Sequence, residues 1–227
     1  MARTLNLAVH TVRREAFVEA AQRLMQTRGW EQMSIQDVLD EVEASRGAFY
    51  HYFDSKQALL EAVIERMVDA GLGKAAPAGA DTSLAAPAKL ERVFTAIGRW
   101  KTEQKALVLA LLEVWLSDHN ATVREKFRRR MVDRLAEILT PIIDQGMREG
   151  DFNVATAPET ARVLVMLLLG LQDVATDLFL DRQAGRIELS DVDRSLSAYS
   201  QAFERILGAR AGSIGLIDQS VLVAWFG

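Results

Sequence analysis

The chain has 227 residues, 49% hydrophobic and 26% charged, with a net charge of −4 and no cysteine. That balance excludes global disorder, and the missing thiols exclude a disulfide scaffold, a thiolate metal site and a cysteine nucleophile. The longest uninterrupted apolar run, Val163 to Leu171, falls short of the roughly 18–20 residues that cross a bilayer, and Met1 to Val9 lacks the apolar stretch of a secretion signal. A cytoplasmic protein without a membrane segment is expected.

Periodicity near 3.6 runs almost throughout and no alternating strand stands out, so the expected fold class is all-α. A first helix is predicted from about Val12 to Thr27, with Phe17, Ala20, Ala21, Leu24 and Met25 as its stripe and Gly29 as its stop. Ser34 is a natural N-cap for a short second helix, in which Ile35, Val38, Leu39 and Val42 form one apolar line. After a tight turn, Ser45 caps a third helix, anchored by Phe49 and Phe53 at four-residue spacing. A fourth runs from the Asp54-Ser55 cap to about Ala70.

Lys74 to Pro87 is almost all Ala, Gly, Pro, Ser and Thr, the composition of a linker. Five longer helices are predicted near 88–102, 105–117, 120–149, 157–181 and 190–209. Pro141 predicts a kink or break near Leu139, Ala157-Pro158-Glu159 a helix start, and Ser190 and Asp191 a cap. The ending Val221-Leu-Val-Ala-Trp-Phe226 is too apolar for a free tail and suits a short helix or a strand. The expected organisation is an N-terminal three-helix domain over 1–54 with a connecting helix over 55–72, then a larger helical unit over 73–227.

The second and third helices form a helix-turn-helix. Tyr50, His51 and Tyr52 stand in succession on a short helix, so at most one or two point inward. Tyrosine hydroxyls and imidazole N–H groups are short, stiff donors to phosphate oxygens. Gly47 and Ala48 lack bulk, which lets the backbone enter a major groove, and Arg46 can donate bidentately to guanine. Lys56 lies in the first turn of the fourth helix, where phosphate is also attracted. Composition does not argue for DNA: residues 1–70 hold eight Lys/Arg against eleven Asp/Glu. A positive face would have to come from arrangement, through Arg3, Arg13, Arg14, Arg46 and Lys56.

The run Ser45-Arg-Gly-Ala-Phe-Tyr-His-Tyr-Phe-Asp-Ser-Lys-Gln-Ala-Leu-Leu60 resembles the recognition segment of TetR-family transcriptional regulators. Gly29-Trp30 followed by Ser34-Ile35 fits the same pattern, as does Gln145-Gly-Met-Arg-Glu-Gly-Asp-Phe152 later in the chain. One departure stands out: the family's turn usually holds a glycine where this chain has Glu43. The resemblance implies DNA contacts at Gln36, Ser45, Arg46, Gly47, Ala48, Tyr50, His51 and Lys56. It implies a small-molecule pocket in the larger unit, for which Phe94, Ile97, Trp100, Leu111, Trp115, Phe127, Met131 and Met166 are the candidates. It also implies a homodimer through the last two long helices, with Leu164, Leu168, Leu171, Ala175, Leu196, Tyr199 and Phe203 as candidate interface residues.

The implied function is a regulator of transcription, read as a repressor that a small molecule releases from palindromic double-stranded operator DNA. Activation by the same fold stays open, as does a helical adaptor whose N-terminal motif contacts protein. Enzyme readings find no support. His10, His51 and His119 are far apart in sequence with no metal-ligand spacing, and no glycine-rich phosphate loop follows a strand. No cofactor and no metal are expected. The basic run Arg124 to Arg130 reads as a solvated helix face.

Overall fold

The computed structural model describes residues 2–227, with side chains from His10 onward except that of Glu113; the Arg3 side chain lies outside the described residues. Ten α-helices and one 3₁₀ turn make up the described chain, with no strand among the described residues. The helices are α1 (Ala2–Arg28), α2 (Ile35–Val42), α3 (Arg46–Tyr52), α4 (Lys56–Ala80) and α5 (Ala86–Glu103), then α6 (Lys105–Leu116), α7 (Ala121–Glu149), α8 (Ala157–Gln183), α9 (Leu189–Leu207) and α10 (Gln219–Phe226). The all-α expectation holds.

Two compact units divide the chain. The first comprises residues 1–69 with 104–127, the second 70–103 with 128–227. The first is therefore larger than an N-terminal three-helix domain with its connecting helix. Its core of Phe17, Met25, Trp30, Val38, Phe49 and Leu60 also takes in Val114 and Val123, with Leu111 and Phe127 packed against it. Polar clamps fix this addition: Gln57 Nε2 donates to Asn120 Oδ1 at 2.9 Å, and the Lys126 ammonium meets Glu61 at 2.6 Å. Arg124, read from sequence as part of a solvated face, donates to the carbonyls of Trp115 (2.8 Å) and Ser117 (2.5 Å), satisfying the end of α6.

In the second unit the segment expected to be a linker is mostly helix, because α4 continues through Pro77 to Ala80. Its small residues serve close packing. Leu72, Ala75 and Ala78 are buried at three-residue spacing, and a Cβ on Gly79 would meet Ile138 and Ile142 at 3.4 and 3.5 Å. Gly71 lies under the Trp100 ring, 3.1 Å from where its Cβ would stand. α7 likewise stays one helix through Pro141, where a kink or a break was expected. The tail settles as α10, which packs on α5 and α8; Trp225 Nε1 donates to the Thr102 hydroxyl at 3.0 Å, and Arg182 Nε to the Phe226 carbonyl at 3.1 Å.

The stretch from Gln145 to Phe152 ties α7 to α5. Lys89 donates to Gln145 Oε1 at 2.6 Å, and the Gln145 amide in turn donates to Glu149 at 2.6 Å. The other Glu149 oxygen accepts the Ala86 N–H that opens α5. These hydrogen bonds, from Gln145 first and then Ala86, hold the Glu149 carboxyl below its usual range. Phe152 folds back over Gly146 so closely that a Cβ there would lie 2.1 Å from the ring.

α8 contains an 18-residue window of mean hydropathy 1.9, long and apolar enough to cross a membrane by those measures alone. α8 packs lengthwise on α9, burying Leu164, Val165, Leu169 and Leu171 within the single chain.

Candidate nucleic-acid interface

The site is built on α1 to α3. Ser34 and Asp37 form a capping box: the Ser34 Oγ accepts from the Asp37 N–H (3.1 Å) while the Asp37 carboxylate accepts from the Ser34 N–H (2.8 Å). Hydrogen bonds from Ser34, assisted by the Arg28 guanidinium at 2.6 Å, lower the Asp37 pKa. Arg23 reaches Glu41 at 2.6 Å. Two of the eleven acids of residues 1–70, Asp37 and Glu41, are thus paired with α1 arginines.

The turn between α2 and α3 passes through Glu43 at φ 52°, ψ 49°, the single non-glycine residue with positive φ among those described. Its N–H and that of Ala44 both return to the Leu39 carbonyl, closing α2. The turn therefore keeps the left-handed geometry a glycine would give, at a side-chain cost on the order of 1 kcal/mol. Glu43→Gly should raise stability by about 0.5–1 kcal/mol and leave α3 in place. A thermal melt checks this, and a lower midpoint would show that the turn is not built this way.

Ser45 caps α3 by accepting the Ala48 N–H at 3.2 Å. Phe49 is wholly buried and Phe53 nearly so, with ring centroids 5.7 and 6.2 Å from Phe17. Phe49 on α3 and Phe53 at its extended C-cap hold the helix to the core, and Arg46, Gly47, Tyr50 and His51 are all exposed. Tyr50 keeps 46% of its surface open, high for an aromatic residue beside a core. Nothing within 3.4 Å would obstruct a side chain at Gly47, so that face is open to an approaching surface. Ala48 is half-buried against the core.

Two expected contacts are committed within the unit. The Lys56 ammonium donates to the Trp30 carbonyl at 2.7 Å and sits 4.4 Å from the Trp30 ring centroid, where burial lowers its pKa against the pull of Glu31 and Asp37. Gln36 donates its amide to Asp40 at 2.7 Å. A residue absent from the expected set joins instead. His10 of α1 stands 5.5 Å from His51 and 4.6 Å from Tyr52, centroid to centroid, and is exposed. Forty-one positions separate the two histidines in sequence, so no spacing rule brings them together.

An exposed donor-rich helix, held by a buried aromatic pair and preceded by a capped positioning helix, has the form that enters a major groove. Residues 17–63 match the sequence profile described as bacterial regulatory proteins, tetR family. Residues 17–63 thus carry the TetR-family N-terminal signature. Among curated HTH-type relatives, the uncharacterised transcriptional regulator YfiR of Bacillus subtilis (strain 168) is 29% identical over 150 residues, 60% of this chain and 69% of its own length. The repressor KstR2 of Rhodococcus jostii (strain RHA1) is 24% identical over 151 residues, covering 62% and 68%. A transcriptional regulator from Cytophaga hutchinsonii ATCC 33406 superposes with a TM-score of 0.55 at 21% identity, over 86% of this chain and 94% of its own. That structural likeness shows the fold alone.

The remaining TetR-type expectations meet a mixed geometry. Of the pocket candidates, Phe94, Ile97, Trp100 and Met131 lie in the second unit, while Leu111, Trp115 and Phe127 belong to the first. Trp115 and Phe127 pack edge to face at 4.8 Å. Met166 is 48% exposed on α8, so it lines no interior. Of the interface candidates, Leu164, Leu171, Leu196 and Phe203 are buried within one chain, with Phe203 against Phe94 at 5.3 Å. They are inner-face residues of α8 and α9. Leu168, Ala175 and Tyr199 are half-covered. The apolar residues left open are Val163 and Met166 on α8 and Ile206 on α9.

Proposed function

We propose that this regulator is a homodimeric, sequence-specific repressor, and that a small molecule bound to the unit of residues 70–103 and 128–227 releases it from a palindromic operator. One observation carries the DNA reading: Arg46, Gly47, Tyr50 and His51 share an exposed face that Phe49 and Phe53 hold rigidly outward. Repression follows the Rhodococcus relative, which is named a repressor. Dimerisation is supported by open Val163, Met166 and Ile206 on two long helices, an apolar face that a second copy would cover. A dimer presents two recognition helices, and each effector-sensitive spacing of them fits the operator differently. A coupling of about 1–3 kcal/mol would change operator affinity several-fold to about a hundredfold.

The test begins with selection of bound sequences from random duplex DNA, then anisotropy titration of the winner. Arg46→Ala should weaken binding by about 10- to 100-fold, the worth of a bidentate base contact. Tyr50→Phe should cost about 3- to 10-fold, one hydroxyl-to-phosphate bond. Log affinity should fall linearly with log salt, by about 0.9 per phosphate neutralised. If both variants bind as tightly as the parent, this face does not read DNA. A protein-docking role drew its support from the acidity of residues 1–70, and pairing of Asp37 and Glu41 with Arg28 and Arg23 weakens it.

A further inference from the structure

α1 and α3 meet through three rings. His10, His51 and Tyr52 form a triangle: the two imidazole centroids stand 5.5 Å apart, and they lie 4.6 and 5.0 Å from the tyrosine centroid. The tyrosine ring rests in turn on buried Phe17, 5.8 Å away, so the platform beneath both histidines belongs to the core. Tyr52 is half-buried, whereas His10 and His51 are exposed. Each imidazole is thus packed against a neighbour and still open to solvent, beside the exposed residues Arg46, Gly47 and Tyr50 of α3.

Neither imidazole has a hydrogen-bond or ion-pair partner among the described residues, so their ring nitrogens are left to an outside ligand. The charged groups on the surrounding elements are mostly cationic. Arg13 and Arg14 lie three and four positions beyond His10, on its side of α1, and the Arg14 guanidinium reaches across to the Phe53 ring at 5.2 Å. Arg46 opens α3 and Lys56 opens α4. Of the carboxylates, Glu15 is shared between Arg14 at 3.5 Å and Arg66 at 3.6 Å. Asp54, exposed just past α3, bonds neither ring. Tyr50 and Tyr52 bring only hydroxyls. Two adjacent imidazoles with open nitrogens, among arginines, suit an anion that both can grip.

We propose that His10 and His51 grip one backbone phosphate of the operator as a protonated pair, so that DNA binding takes up protons and tightens as pH falls. This rests on the DNA reading of α3 given above. An N–H···O hydrogen bond reaches about 2.9 Å, so rings at this separation can donate to two oxygens of one phosphate. Histidine is the side chain whose charge changes within the physiological range. Two imidazolium charges side by side repel, and a phosphate seated between them replaces that repulsion with attraction to both. The DNA-bound state then holds more protons than the free state. Linkage fixes the sign: affinity rises as pH falls. Acidification tightens the operator complex with no effector involved.

The experiment uses the full chain and the duplex selected from random DNA. Anisotropy titrations at fixed salt, from about pH 8 down to about pH 6, give the slope of log affinity against pH. Calorimetric titration in PIPES and in bis-Tris, whose ionisation heats differ, counts the protons taken up. Each protomer should take up about 0.5–1 proton, so affinity per protomer should rise about 3- to 10-fold for each pH unit lowered. His10→Gln and His51→Gln keep an N–H donor but cannot gain a charge, and each should cut that slope by half or more. His119→Gln, on the 3₁₀ turn, should keep it. Both histidines of the pair are exposed, and a thermal melt of each variant checks that the fold survives. A parental slope in either His10→Gln or His51→Gln, or a lost slope in His119→Gln, would overturn the proposal. A parent that binds its duplex without proton uptake overturns the pair alone. A parent that selects no duplex at any pH overturns the DNA reading, and the pair with it.

Discussion

Phe49→Ala should destabilise the first unit by about 3–5 kcal/mol, the range for deleting a wholly buried aromatic ring. Phe49 is the inner anchor of α3, 5.7 Å from Phe17, 5.6 Å from Phe53 and edge-on to Tyr50 at 5.4 Å. A domain with only about 5–15 kcal/mol in hand would then be close to unfolding at physiological temperature. Urea denaturation should show the loss, and hydrogen exchange should show it earliest at residues 46–53. Phe49→Leu keeps most of the apolar area and should cost far less, so its operator affinity separates loss of anchoring from loss of the fold. A Phe49→Ala protein that melts with the parent would mean that α3 is not held by this ring.

Gly146→Ala is expected to be nearly as damaging, for the opposite physical reason. The added Cβ would stand 2.1 Å from Phe152 Cδ2 and 2.4 Å from Cε2, so a ring that is 4% exposed must leave its place. Overpacking of this kind costs about 1–3 kcal/mol, and displacement of a whole ring belongs at the upper end. In a Phe152→Ala background the same substitution should become neutral or stabilising, since alanine is a better helix residue than glycine by about 1 kcal/mol. That reversal of sign in a double-mutant cycle is the diagnostic result. Parallel losses in both backgrounds would show that Gly146 matters for some reason other than the ring above it.

The face of α3 could be read from sequence because two phenylalanines at four-residue spacing leave little choice about which residues point outward. The fate of Lys56 could not: only the fold brings Trp30 beneath it, 26 positions away, and a carbonyl and an aromatic ring then take the charge that phosphate was expected to take. The glycines and alanines of α4 misled in another way. Composition alone does not separate a flexible stretch from one whose side chains are small because neighbouring helices come close, and Trp100 over Gly71 decides for the latter. α8 defeated periodicity because both of its faces are apolar. Leu164 and Leu171 look outward-facing by type as much as Val163 and Met166 do, and only packing against α9 separates them.

The main chain moves between the two units at residues 69–70, 103–104 and 127–128. A fragment cut after α4 would therefore strip Val114 and Val123 from the buried core they share with Phe17 and Leu60, and would expose oily surface in place of a finished domain. Grafting the DNA-reading head onto another sensor requires carrying residues 104–127 along with it. Module exchange between relatives of this kind has to be performed with three splices, and a single crossover should yield an insoluble hybrid.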